Sequence, residues 1–237
     1  MEHPSATVEK AVDVLFHLHG VSEPQGVTAL GRALGLPKSS AHRLLAALAR
    51  RGLVERDAGG RYRPGIALVA LGLGALGREP VVEAARPVLE REAEALGETL
   101  FLAAARAGRI HVLDKAEGAG FLRAAPQVGA TVPVAVTAVG RLYLAFAPDE
   151  VTPEPGPRSL ARTLAEVRRR GWAENRDEWQ PGLSAVAAPV FLGERMLAAV
   201  AVAAPSARLP RAEVPRVARR VADAAARVAA RLGGAER

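Results

Sequence analysis

Apolar residues recur with helical spacing through the first third of the chain. Val8, Ala11, Val12, Leu15 and Leu18 fall on one stripe of a helix predicted over Ala6 to His19, with Lys10 and Asp13 turned to solvent. A second helix is predicted from about Thr28, whose hydroxyl suits an N-cap, through Leu30, Ala33 and Leu34 to a stop at Gly35. Leu36 then packs inward, and Pro37 opens a third helix at a position where a missing N–H does no harm. On this helix Ala41, Leu44, Leu45 and Leu48 share one side, so Ser39, His42, Arg43, Ala46 and Arg50 share the other. After Gly52, residues 53–56 and 61–63 flank Asp57-Ala58-Gly59-Gly60, whose residues tolerate the positive φ of a hairpin turn. The pattern is helix, tight turn, helix and a two-stranded wing.

Residues 66–77 are apolar and glycine-rich, too short to span a bilayer, and sit where a linker between domains belongs. Beyond Pro80 helices and strands mix in an α+β manner. A helix near Pro87 to Leu96 ends at Gly97, and a hairpin over 99–115 turns at Ala107-Gly108. A helix capped by Thr137 ends before Pro148, a proline-rich loop covers 152–157, and a helix over 160–170 is closed by Gly171. A short strand over 172–175, a hairpin over 183–204 about Leu192-Gly193-Glu194-Arg195, and a last helix over 212–232 complete the chain.

An outward helix face carrying Ser, His and Arg suits base edges. Arg43 can reach guanine O6 and N7 with two donors, Ser39 can donate or accept, and Ala46 can lie against a thymine methyl, with Lys38 and Ser40 flanking the same turn. Arg61 and Arg63 share one face of the wing and are placed for phosphates, which orient a protein on DNA without reading its sequence. The plainer alternative is a helical hairpin with solvated arginines; the adjoining wing favours DNA.

Charge changes this picture little. The net charge of +7 favours a polyanionic partner, yet residues 1–79 hold ten basic against seven acidic side chains and residues 80–237 hold 22 against 18. Local geometry therefore carries the argument rather than bulk charge. With no cysteine there is no disulfide framework or thiol chemistry, and with no signal peptide or long apolar span the expected compartment is the cytoplasm, with no membrane partner. His17 and His19 lie two apart on a helix and cannot form a metal pair, so neither metal nor cofactor is expected. Nor is catalysis, since the five histidines form no nucleophile–base pattern, and His111 and Asp114 on a regular strand face opposite sides. Gly72-Leu73-Gly74-Ala75-Leu76-Gly77 matches the dinucleotide fingerprint G-x-G-x-x-G. Glu98 stands near the required offset but before the next strand, and Pro87 interrupts the helix that would carry the pyrophosphate.

Residues 28–45 (TALGRALGLPKSSAHRLL) and 59–65 (GGRYRPG) resemble the winged helix-turn-helix of the IclR family of bacterial transcriptional regulators. The resemblance continues through residues 133–145 (PVAVTAVGRLYLA) and 182–190 (GLSAVAAPV), nearly the whole chain. It implies a winged helix-turn-helix DNA-binding domain over 5–65, a linker helix over 66–79 that pairs with its mate, and a GAF-like antiparallel-sheet effector-binding and oligomerisation domain over 80–237. It further implies a homodimer or homotetramer on a double-stranded, pseudo-palindromic operator, with Thr28, Lys38, Ser39, Ser40, His42, Arg43, Arg61 and Arg63 as DNA-binding residues.

For the second half the resemblance implies a pocket for a small organic acid. Small residues at Thr137-Ala138-Val139-Gly140 leave the first amides of a helix uncovered, and such an end attracts a carboxylate. Without the resemblance the same residues read as a plain helix start packed on the sheet. Carried over by position, the pocket includes Asn175, Leu183, Ala185, Ala201 and Ala203. Asn175 stands where the family often has an acid, and the three alanines stand where members that bind small keto acids offer Cys or Ser. Ala135 likewise replaces a frequent histidine and Arg141 a frequent lysine. Backbone donors remain while side-chain donors are lost, which favours a larger or more apolar acid, aromatic ones included. Arg123 is a further candidate partner for the anion. The alternative is a constitutive regulator whose second domain is only an oligomerisation scaffold.

Overall fold

The computed structural model describes residues 6–76, 78–119 and 126–235, which fall into two compact units, 1–78 and 79–237. No helix among the described residues is long and apolar enough to cross a membrane.

The first unit holds α1 (Ala6–Gly20), α2 (Val27–Ala33), α3 (Lys38–Arg50), the strands β1 (Val54–Arg56) and β2 (Tyr62–Pro64), and α4 (Ile66–Leu76). Its core is Val14, Leu18, Leu30, Ala41, Leu45, Leu48, Val54 and Tyr62, with Leu36 and Leu44 packed against it. On α3 these are the positions that helical periodicity turned inward, but α1 is rotated from the expected stripe: it buries Val14 and Leu18 with Ala11 and Leu15 beside them, while Val8 and Val12 are 61% and 41% exposed. Gly35, at φ +64°, turns the chain between α2 and α3. Two caps differ from expectation. Gly26, not Thr28, is the N-cap of α2, and Thr28 lies exposed inside its first turn, because the helix begins one residue earlier at Val27. Pro37 is the N-cap of α3, with extended ψ of 141°, rather than its first helical residue. The wing pairs Glu55 with Arg63 and Arg56 with Tyr62, and Gln25 exchanges both backbone hydrogen bonds with Tyr62 at 2.8 Å, adding a bridge that no local pattern announced. Gly72 and Gly74 lie within α4, on no strand-to-helix turn, while Gly77 falls outside the described residues.

The second unit is built on a six-stranded antiparallel sheet in the order β5-β4-β3-β8-β7-β6. Its strands are β3 (Thr99–Arg106), β4 (Arg109–Ala116), β5 (Thr131–Val132), β6 (Ala173–Arg176), β7 (Leu183–Leu192) and β8 (Arg195–Pro205). The helices α5 (Pro80–Leu96) and α8 (Val214–Ala235) pack on the sheet and on each other, and α6 (Ala138–Phe146) and α7 (Leu160–Arg170) form a second pair. The α6 side of the sheet is covered by a core that includes Phe101, Ala103, Val112, Val139, Leu142, Tyr143, Ala185, Ala201 and Ala203. With both faces covered, the central strands lose the polar alternation of a half-exposed sheet. The fold class is α+β, as the alternation of patterns suggested.

Three features depart from the linear reading. The first helix of this unit begins at Pro80, not near Pro87, and Pro87 sits inside it with its ring exposed. An internal proline costs about 3 kcal/mol, but Val81, Val82, Ala85, Val88, Leu89 and Ala93 form one buried stripe that continues through it. The short strand β5 had no signal of its own; it forms because Ile110 and His111 of β4 offer pairing to Val132 and Thr131. Finally, Leu102 pairs with Asp114 while Ala103 pairs with Val112, so Leu113 is an extra residue in β4. This bulge resets the alternation. His111 pairs with Ala104 and Asp114 with Leu102, which places both on one face rather than on opposite faces. Asp114 is nonetheless engaged elsewhere, with Arg86 of α5 at 2.8 Å, and burial raises its carboxyl above the usual range.

Candidate functional site

The outer side of α3 presents Lys38, Ser39, His42, Arg43 and Arg50 to solvent, with Ser40 half-buried and Thr28 exposed nearby in sequence on α2. Ala41, Leu45 and Leu48 anchor the opposite side at no more than 8% exposure, so the exposed side is held rigidly. Arg43 and Lys38 have no hydrogen-bond or ion-pair partner among the described residues, which leaves all their donors available.

The wing arginines differ. Arg61 and Arg63 are exposed as expected, but Arg61 Nε lies 3.2 Å from Asp57 Oδ2 and Arg63 Nε 2.7 Å from Glu55 Oε1. Exposed pairs of this kind are worth about 0–1 kcal/mol, so a phosphate can compete for the remaining guanidinium donors. The Arg61 backbone N–H, which donates to Asp57 at 2.9 Å, holds that carboxyl below its usual range. Arg56 was missed by the sequence reading. It lies with its guanidinium 5.8 Å from the Tyr62 ring and donates to the Gly60 carbonyl at 3.1 Å, a third cation on the wing, whose only signal is its cross-strand register with Tyr62.

In the second unit, Thr137 caps α6 as expected: its hydroxyl accepts from the Gly140 amide at 3.0 Å and donates to the Pro133 carbonyl at 2.6 Å. The amides are less free than predicted. Ala138 donates to Asn175 Oδ1 at 3.1 Å and Gly140 to Thr137, while among the described residues no acceptor takes the Val139 amide. Asn175 is only 3% exposed, and its Nδ2 has no partner. Buried donors are nearly always satisfied, so this one is open to an acceptor, whether a water or a ligand atom.

A narrow cavity of about 20 Å³ opens at this point, lined by Thr137, Ala138, Val139, Asn175, Leu183, Ala185 and Ala203 together with Phe101, Pro126, Val132 and Trp179. Two expected members stand apart. Gly140 is turned against Val134, whose carbonyl oxygen would lie 2.0 Å from an added Cβ, and Ala201 is fully buried in the sheet between Phe101 and Ala187. Phe101, Val132 and Trp179 come from separate strands and a loop, and nothing local in the sequence assembles them. Arg123 falls outside the described residues. Arg141, 4% exposed, donates to the Glu174 carbonyl at 2.6 Å and pairs with Glu178, tying α6 to β6 and to the loop that follows it.

A helix-turn-helix with a wing, joined to a separate α+β unit, defines a DNA-binding transcriptional regulator. The comparisons agree. The IclR helix-turn-helix domain matches residues 7–58, and the bacterial transcriptional regulator IclR C-terminal domain matches residues 73–154 and 155–230. The chain is 34% identical to the HTH-type transcriptional regulator TtgV of Pseudomonas putida, over 78% of this chain and 75% of TtgV. It is 31% identical to the glycerol operon regulatory protein of Streptomyces griseus, over 96% of each. Among solved structures, an IclR transcriptional regulator from Alicyclobacillus acidocaldarius superposes with a TM-score of 0.81 at 27% identity, over 97% of this chain and 100% of that one. An IclR homolog from Microbacterium hydrocarbonoxydans complexed with 4-hydroxybenzoate shares the fold, with a TM-score of 0.82 at 23% identity and coverage of 97% and 100%. The chain belongs to the IclR family of transcriptional regulators, and it is a regulator rather than an enzyme.

Proposed function

We propose that this regulator binds a pseudo-palindromic operator as a dimer or dimer of dimers, reading bases through residues 39–43 of α3, and that an aromatic or medium-chain carboxylic acid in the α6 pocket changes its operator affinity. The observation that carries the sensor reading is Asn175: its Nδ2 is an unpaired donor on a side chain 3% exposed, and Asn175 lines the same apolar cavity as Val139, whose amide is open. A carboxylate there would accept from both, and the helix end favours its charge. The 4-hydroxybenzoate bound by the Microbacterium homolog supports the ligand class. The assembly rests on α4, treated as the linker helix, whose Ile66, Val69, Leu71 and Leu73 are 54–73% exposed and would be covered by a mate.

The test is calorimetry paired with operator titration, because a ligand shifts DNA affinity only by its differential affinity for two states. 4-Hydroxybenzoate should bind and alter operator affinity, its amide should bind poorly, and glyoxylate and pyruvate should bind less well. A preference for the smallest keto acids refutes the pocket reading. A second reading, the constitutive regulator, is favoured by the cavity itself: at 20 Å³ it holds about one water. Saturating acids with no change in operator affinity would select it.

A further inference from the structure

The 20 Å³ cavity is too small for any aromatic acid, since a benzene-sized guest needs about 150 Å³. One wall must therefore move if the proposed function holds. We infer that Trp179 is that wall, a displaceable partition through which an elongated aromatic acid enters and past which its far end projects.

Trp179 and Val132 border the inner cavity and also a second, outer groove of about 540 Å³, lined further by Arg109, Thr131 and Glu154. Apart from Pro126, which stands on a loop, the remaining inner walls lie on strands or at the capped start of α6 and cannot yield cheaply. Ala185 and Ala203 sit in paired strands, and Ala138 and Val139 in a capped helix, so moving them would break ladder or cap hydrogen bonds. Trp179 stands instead on the loop of residues 177–182 between β6 and β7, and is only half-buried. The ends of that loop are fastened. Asp177 Oδ1 accepts from the Gly182 amide at 2.8 Å and from the Ser206 hydroxyl at 2.6 Å, and the Asp177 amide donates to the Leu183 carbonyl at 2.9 Å. The indole N–H has no acceptor among the described residues, so rotating the ring outward breaks no hydrogen bond of its own.

Once the indole leaves, cavity and groove become continuous between Val132 and the vacated space. A carboxylate at Asn175 then directs the para position of a benzoate into the groove, where Arg109 and Glu154 offer polar contacts. The site thus selects acids extended along the carboxylate–para axis, and Trp179 sets the way in.

The experiment uses the full chain carrying Trp172→Phe, which leaves Trp179 as the sole tryptophan, since the protein has two. Phenylalanine keeps a ring beneath the Arg170 guanidinium, which lies 3.6 Å over that of Trp172. Benzoate, 4-hydroxybenzoate and 4-phenylbenzoate are titrated by calorimetry and by Trp179 emission. The expected result is a red shift of Trp179 emission on saturation, with 4-phenylbenzoate bound within about threefold of benzoate or tighter. Binding detected by calorimetry with unchanged emission, or rejection of 4-phenylbenzoate by more than a hundredfold, would overturn the partition and leave the pocket reading standing. No binding of any acid would overturn both.

Discussion

Replacing Gly140 by alanine isolates what the cap of α6 contributes. In an isolated helix the change would stabilise by about 1 kcal/mol, because glycine is the poorer helix former. Here the sign reverses. An added Cβ would lie 2.0 Å from the Val134 carbonyl oxygen and 2.5 Å from its carbon, so restoring ordinary contact at 3.4 Å requires the backbone of Val134 to retreat by about 1.4 Å. That segment is held by Thr137 Oγ1 donating to Pro133 O at 2.6 Å and by the Val134 amide donating to Glu154 Oε2 at 2.9 Å, while Gly140 itself donates to Thr137 at 3.0 Å. Disrupting these three at about 1 kcal/mol each, with overpacking strain of about 1–3 kcal/mol and the helix-propensity gain set against them, gives a net loss of roughly 3–5 kcal/mol. The corresponding fall in Tm is roughly 6–20 °C. Both tryptophans lie in the second unit, so urea unfolding followed by tryptophan emission reports on that unit alone. An unchanged or raised midpoint would refute the argument that the Gly140–Val134 approach is obligatory.

Arg43→Ala should lose about 1–3 kcal/mol of specific operator binding with no change in melting temperature, since its side chain is exposed and unpartnered. Arg61→Ala should instead weaken all sequences alike and lower the salt slope by about 0.9 per half-site; gel shifts at two salt concentrations distinguish the two, and wild-type binding by both variants would remove the assigned surface. The Tyr143 phenol, pushed up to about 12 by burial from 10.0, is neutral in the folded state where an unfolded chain would ionise. Its contribution is complete below pH 10 and is lost as pH rises through 12, about 1.4 kcal/mol per unit; Tyr143→Phe should flatten that part of the stability–pH profile. Leu71→Glu with Leu73→Glu, at positions 63% and 65% exposed, should shift sedimentation toward monomer and weaken full-operator binding; an unaltered oligomer would exclude α4 from the interface.

Asp177 bears on how the 177–182 loop holds with pH. The Ser206 hydroxyl, donating to Asp177 Oδ1 at 2.6 Å, holds that carboxyl below the usual carboxylate range. A lowered folded value means that the fastening of the 177–182 loop is present above the ordinary carboxylate range and is lost only as pH falls through the lowered value.

Much that depends on contacts near in sequence was legible in the chain alone, although the N-caps of α2 and α3 and the buried stripe of α1 were misplaced. Leu45 and Leu48 face inward and Ser39 and Arg43 outward because a helix repeats every 3.6 residues, and the chain turns at Ala107-Gly108, at φ of 51° and 78°, where Gly108 adopts the left-handed conformation freely and Ala107 at a steric cost. The α6 start was legible for the same reason, since Thr137 caps a helix three residues away. Contacts between distant segments were not. Asn175 takes the Ala138 amide across 37 residues, Phe101 and Trp179 reach the cavity from β3 and from the β6–β7 loop, and the Leu113 bulge turns Asp114 onto the face of His111 through its pairing with β3. Stripe burial likewise carried α5 through Pro87 against its local cost. Local periodicity and capping are properties of neighbouring residues and survive in the linear chain. Whether an amide is free, how large a cavity is, and which carboxylate engages Arg86 depend on partners that only tertiary packing brings within hydrogen-bonding distance.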